Sequence, residues 1–342
     1  MPLNPFPIMK TKKHVLLFFL LAFFINATGW CGDIHPWSIK KGVEHNGLVY
    51  LLNEVEQLEV LDLQGRKLSA FNGIPNARIV DVALVGGKLT ILAIDAMSFG
   101  QGKIYQQEKN EWKSLRRFSI QMKEIPYAIT EIKGNLAVIS NQRILVANKE
   151  GKWDRIVLAE ALLRSFDAPK ITVINDALFW GVNMGELGGT LQRVNLTDGV
   201  TGRPKTSKVF DPARDSVTGV ASSPLVAGES LIAIINREQS GLFTLLKAKL
   251  EKLGLQQQKL KNKFISGDIL DMQGKEGIAW VLTEKSVVEI TKKNVVSHEI
   301  KTWQKAGQLT YSTDIPGVIV LQRLHDGKSD RTGTSHILVI KN

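Results

Sequence analysis

At 342 residues, 44% hydrophobic and 23% charged, the chain has the composition of a globular protein with a large core, which excludes a disordered or collagen-like polymer. Its formal charge is +11, but the basic residues are dispersed, with no basic helix or aromatic-rich recognition strand, so no nucleic-acid partner is expected. Cys31 is the only cysteine, which rules out an intramolecular disulfide.

The first thirty residues stand apart. Lys10, Lys12 and Lys13 precede the apolar run Val15–Ile25, and small residues Ala27, Thr28 and Gly29 follow. This order of basic, apolar and small residues reads as an export signal over residues 1–29, with Met9 as an alternative start. The run is too short for a lasting membrane anchor. Trp30 beside Cys31 argues against a lipoprotein, so a soluble periplasmic or secreted protein is expected, with 30–342 as one domain. Removing the three leader lysines leaves 41 basic against 33 acidic residues, a charge of +8. Such a surface is ordinary for a soluble protein and would also attract acidic partners.

From Leu48 onward an apolar strand restarts at Leu48, Leu89, Leu136, Leu178, Leu231, Ile278 and Val318, at intervals of 41, 47, 42, 53, 47 and 40 residues. A period of 40–50 residues built from several short strands reads as one four-stranded blade per period. The expected fold class is therefore all-β, a seven-bladed β-propeller. The first blade shows the pattern plainly: Gly42–Asn46, a turn at Gly47, Leu48–Asn53, Leu58–Leu63, then Lys67–Phe71 after Gln64-Gly65. The second follows through Gly86-Gly87, the third through Lys133-Gly134-Asn135 and the fourth through Asn175-Asp176.

Leu158–Phe166 departs from this grammar. Its apolar spacing predicts a short helix or lid between blades 3 and 4. Lys247–Leu260 reads as two outer strands with a turn, or as a helix interrupted at Gly254. The seventh repeat supplies only three strands, and an open edge invites aggregation. The spare segment His35–Ile39 is expected to complete that blade and close the ring. Trp112 and Trp153 open outer strands at equivalent places, which points to packing between blades.

The stretch Gly47–Gly73 (GLVYLLNEVEQLEVLDLQGRKLSAFNG) resembles an NHL-type repeat: a short apolar strand, a hydrophobic strand, D-x-x-G and a closing aromatic. The resemblance covers less than a third of the chain. It implies a member of the β-propeller superfamily and no specific family or activity.

Long, polar, glycine-rich turns between second and third strands mark a binding face. They are Asp95–Gly102, Asn183–Gly189 and His325–Ser335, whereas the equivalent turn of blade 3 is only Asn141-Gln142-Arg143. The candidate ligand-binding residues are Asp95, Phe99, Asn183, Glu186, Asp326, Asp330 and Arg331. Trp180 is either an aromatic platform at this mouth or inter-blade core. No histidine pair has metal-ligand spacing, the blade 7 loop does not match a calcium loop, and no nucleophile elbow or phosphate loop occurs. No catalytic residue, metal or cofactor is expected. The reading is an exported, non-catalytic monomer that binds a protein or an envelope glycan. The alternative is a carbohydrate-active lyase or hydrolase, with Asp95, Glu186 and Asp326 at the central mouth.

Overall fold

The computed structural model describes residues 39–341, except 54–55, 63–66, 71–73, 75–76, 96–99, 110, 165–168, 184–187, 203–215, 223–229, 236–239, 246–254, 258–268, 276, 284–285, 300–308, 316 and 324–334. All of them belong to one compact unit, Trp37–Asn342. Four antiparallel meanders come first. Blade 1 is β1 (Ile39–His45), β2 (Leu48–Asn53), β3 (Leu58–Asp62) and β4 (Lys67–Ala70). Blade 2 is β5 (Ala77–Val85), β6 (Lys88–Asp95), β7 (Gln101–Glu108) and β8 (Glu111–Ser119). Blade 3 is β9 (Pro126–Ile132), β10 (Asn135–Ser140), β11 (Arg143–Ala147) and β12 (Trp153–Val157). Blade 4 is β13 (Lys170–Ile174), β14 (Ala177–Asn183), β15 (Gly189–Asn195) and β16 (Thr201–Gly202).

The rest of the chain is organised differently. One meander is β17 (Ser216–Ser222), β18 (Ser230–Ile235), β19 (Ser240–Leu245) and β20 (Leu255–Gln257); the next is β21 (Ile269–Lys275), β22 (Ile278–Thr283), β23 (Ser286–Thr291) and β24 (Val295–Glu299). A parallel pairing of β17 with β21, at Gly219 and Met272, fuses them into one eight-stranded sheet. The last sheet has three strands: β25 (Leu309–Ile315), β26 (Gly317–Arg323) and β27 (Ser335–Lys341). The expectation of seven separate blades is thus corrected. The described strands form six sheets, of which four are free-standing four-stranded blades. Spacing locates strands, but it cannot show a hydrogen bond across a blade boundary.

First strands lie side by side: β1 against β5, β5 against β9, β13 against β17, β17 against β21, β21 against β25, and β25 against β1. Shared core joins blade 3 to blade 4, so the strands run around a closed ring. Second strands are therefore covered on both faces by neighbouring blades, which explains their near-continuous apolar runs. In β6, Leu89, Ile91, Leu92 and Ala93 are all fully buried. Hairpin turns follow the residues that tolerate left-handed backbone: Asn46-Gly47, Lys133-Gly134 and Asn175 all have positive φ.

Two local expectations change. Leu158–Phe166 forms no helix over its described residues, 158–164. These run as an extended strap whose backbone groups bond to other segments: Leu158 N–H to the Gln142 carbonyl (3.0 Å) and Leu162 N–H to the Asn141 carbonyl (3.0 Å). Ile39 does not join the last sheet; it begins β1 and pairs with Asn53. His35–Ser38 lie outside the described residues. Of Lys247–Leu260, only Leu255–Gln257 is described, as β20.

Tryptophans 112 and 153 pack between blades. Trp112 lies against the core shared by blades 1 and 2. Trp153 meets Phe118 edge-on at 6.2 Å, lies under Arg116, and donates its indole N–H to the Arg117 carbonyl (3.0 Å). Near the axis, a register shift in β5 precedes Asp81, which is buried and touches three first strands. Its carboxylate accepts from Lys41 Nζ of β1 (2.9 Å) and from Ile129 N–H of β9 (2.8 Å). Asp81→Ala orphans that buried amide and should cost about 2 kcal/mol, read as a lower urea midpoint. An unchanged midpoint would show that the three-strand link adds nothing to stability.

Candidate binding face

At one end of the ring the second strands stop. This end carries the second-to-third turns and the fourth-to-first connections. Two of the seven expected ligand residues lie among the described residues. Asp95 closes β6 with its carboxylate ion-paired to Lys103 Nζ of β7 (2.9 Å), at the base of the blade 2 loop. Asn183 closes β14 at the equivalent point of blade 4. Phe99, Glu186, Asp326, Asp330 and Arg331 lie outside the described residues. Trp180 is not at the mouth. It is fully buried, stacks on Tyr127 (centroids 5.6 Å apart) and belongs to the core between blades 3 and 4.

Between the blade 2 and blade 4 loops stands the short turn of blade 3, and here the described structure is dense. The connection from β8 to β9, residues 120–125, carries Glu124. Arg143, at the start of β11, makes a two-pronged bond to it: Nε to Oε1 and NH2 to Oε2, both 2.7 Å. The same NH2 donates to the Ser119 carbonyl (2.7 Å), and the Gln121 amide donates to Glu124 Oε2 (2.8 Å). The two side chains are only 3% and 1% exposed. Burial pushes the Glu124 carboxyl up, yet hydrogen bonds from Arg143, the Gln121 amide and the Ser140 hydroxyl outweigh it and hold the group below the usual carboxylate range.

Asn141 joins the neighbouring segments. Its Oδ1 accepts from Ile125 N–H (2.8 Å) and its Nδ2 donates to the Lys123 carbonyl (3.1 Å). Its backbone N–H donates to the Ile125 carbonyl (3.1 Å), and its carbonyl accepts from Leu162 N–H of the strap. Farther along the strap, buried Gln192 accepts from Leu163 N–H (3.0 Å) and donates to the Ala161 carbonyl (3.2 Å). Trp180 donates its indole N–H to the Leu163 carbonyl (3.0 Å). Connection, turn and strap are thus one hydrogen-bonded surface.

That fixed surface presents large apolar side chains to water. Met122 is 86% exposed, Ile125 45% and Leu163 40%. Lys123 and Arg164 are exposed beside them, in the same two segments. Sequence reasoning overlooked this area because it sought long loops, and the blade 3 turn is the shortest. The available signal was a Met-Lys pair placed in a turn just before Pro126 (QMKEIP), where an apolar side chain has no core to enter.

Among the described residues no group of three or more His, Cys, Asp or Glu side chains is placed to hold a metal ion. No helix among them is long and apolar enough to cross a membrane.

No family model matches the chain, and no curated protein matches it. Among solved structures it is similar to BBS1N in its complex with ARL6DN, with a TM-score of 0.53 and 12% identity over 90% of this chain and 93% of that one. The fold is a β-propeller. KlHsv2 with loop 6CD replaced by a Gly-Ser linker gives a TM-score of 0.46 at 10% identity, over 89% of this chain and 98% of that one. The designed protein Ika8 gives 0.45 at 9% identity, over 88% and 83%.

Proposed function

We propose that this propeller is an exported, non-catalytic binding protein whose partner is another protein, held on the face that carries the second-to-third turns. The observation that carries this reading is the surface at blade 3, where exposed Met122, Ile125 and Leu163 sit on a hydrogen-bonded base. Exposed apolar side chains grouped on a rigid surface cost free energy in water, and a partner that covers them recovers it. The propeller BBS1N, similar in fold, is itself found in a protein complex, which supports protein binding as a use of this architecture. The basic leader followed by Val15–Ile25 supports export.

The test is crosslinking and pull-down of the tagged chain from the envelope fraction of its own host. A reproducible protein partner is expected, and replacing Met122, Ile125 and Leu163 together by serine should reduce its recovery. Recovery of the chain in the cytosol alone would overturn export. Recovery of envelope glycan without protein would overturn the choice of partner.

A further inference from the structure

We propose that the blade 3 surface formed by Met122, Ile125 and Leu163, edged by Lys123 and Arg164, is a docking site for an acidic protein segment that carries an apolar anchor. The inference rests on the protein-binding reading above and adds the place and the chemistry of the partner.

Position comes from the hydrogen bonds. Ile125 and Leu163 flank Asn141, because Asn141 bonds to Ile125 through both backbone and side chain and to the strap at Leu162. Met122 precedes Lys123, whose carbonyl Asn141 Nδ2 also binds. The three apolar side chains therefore extend from segments tied to one residue. Their backbone is already fixed by Glu124–Arg143, Gln192 and Trp180, so little ordering is required when a partner arrives.

Charge selects the kind of partner. Lys123 and Arg164 make no ion pair among the described residues, and both side chains are exposed. Glu124, next to Lys123, does not neutralise it, because its carboxylate is enclosed with Arg143. An apolar centre with a basic edge is complementary to an apolar side chain flanked by Asp or Glu. A basic segment would be repelled, and a neutral one would leave both cations unpaired.

The experiment places a photo-crosslinking amino acid at Met122 of the full chain in its own host, and in a second strain at Phe99 in the blade 2 loop. The crosslinked partner segment is sequenced, synthesised, and titrated against the purified protein. The expected result is a segment of net negative charge holding an apolar residue. Its affinity should fall roughly tenfold or more in Lys123→Glu/Arg164→Glu and weaken as salt rises. Met122→Ser, which keeps both charges, should weaken it severalfold, and unchanged melting curves would confirm that these surface variants are folded. A protein crosslinked from Phe99 and not from Met122 would overturn this site while leaving the protein-binding reading intact. No protein from either position would overturn both. A neutral or basic segment, or binding of Met122 to anionic phosphatidylglycerol vesicles instead of peptide, would overturn the assigned partner chemistry.

Discussion

Replacing Glu124 by glutamine should lower stability by about 3–5 kcal/mol, among the largest single effects available in this fold. The reason is geometric. Arg143 donates from Nε and NH2 to the two carboxylate oxygens at 2.7 Å, in a site where neither side chain is more than 3% exposed. Glutamine offers one acceptor where the guanidinium needs two and turns its own N–H2 toward a cation. The arginine then stays buried without a counter-charge. Removing both partners, as in Glu124→Leu with Arg143→Met, should recover much of the loss, because the desolvation cost goes with the charges. Urea midpoints of the parent, Glu124→Leu, Arg143→Met and the double variant give the coupling directly. If the double variant were as unstable as the sum of the singles, the pair would not be acting as a unit.

The same pair sets an acid limit. The Glu124 carboxyl lies below its ordinary value when folded, so near pH 4 the unfolded chain binds more protons than the folded one. Its stabilisation is fully present above the unfolded carboxylate value of about 4.3 and is lost as pH falls through the lower folded value. Below that value Glu124→Gln and the parent should lose the difference between them. A gap in urea midpoint that stayed constant from pH 7 to pH 2 would rule out this linkage.

What the chain disclosed in advance depends on whether the signal is local. The apolar restarts at Leu48, Leu89, Leu136 and Leu178 fall in β2, β6, β10 and β14 because a buried second strand needs a continuous apolar run. The turns at Asn46-Gly47 and Lys133-Gly134 were legible because left-handed backbone leaves few residue choices. The strap at 158–164 misled for the opposite reason. Leu158, Leu162 and Leu163 have helical spacing, but their backbone groups bond to Gln142, Asn141, Gln192 and Trp180, which are remote in sequence. The β17–β21 bridge is equally non-local, since no feature of Gly219 or Met272 announces a parallel contact. At the binding face, loop length pointed to Asp95 and Asn183, whereas the exposed apolar side chains lie on the β8–β9 connection and on the strap.

Trp180→Ala should cost about 3–5 kcal/mol, and Trp180→Phe should separate the two roles of this side chain. The indole fills the space between blades 3 and 4, fully buried against Tyr127 and among Ile139, Val182 and Val194. Alanine removes that volume from a site closed on both sides by sheets, which leaves little scope for collapse. Phenylalanine keeps most of the volume but loses the bond from the indole N–H to the Leu163 carbonyl, for a cost of about 1–3 kcal/mol. Its effect should also be local. Leu162 and Leu163 amides should exchange with solvent faster in Trp180→Phe, while amides of β10 keep their protection. Because Leu163 is part of the exposed apolar surface, the phenylalanine variant should bind its partner more weakly although no exposed residue has changed. Unaltered exchange at Leu163 together with weaker binding would mean that Trp180 acts through blade packing rather than through the strap. Unaltered exchange and binding would confine the residue to the core.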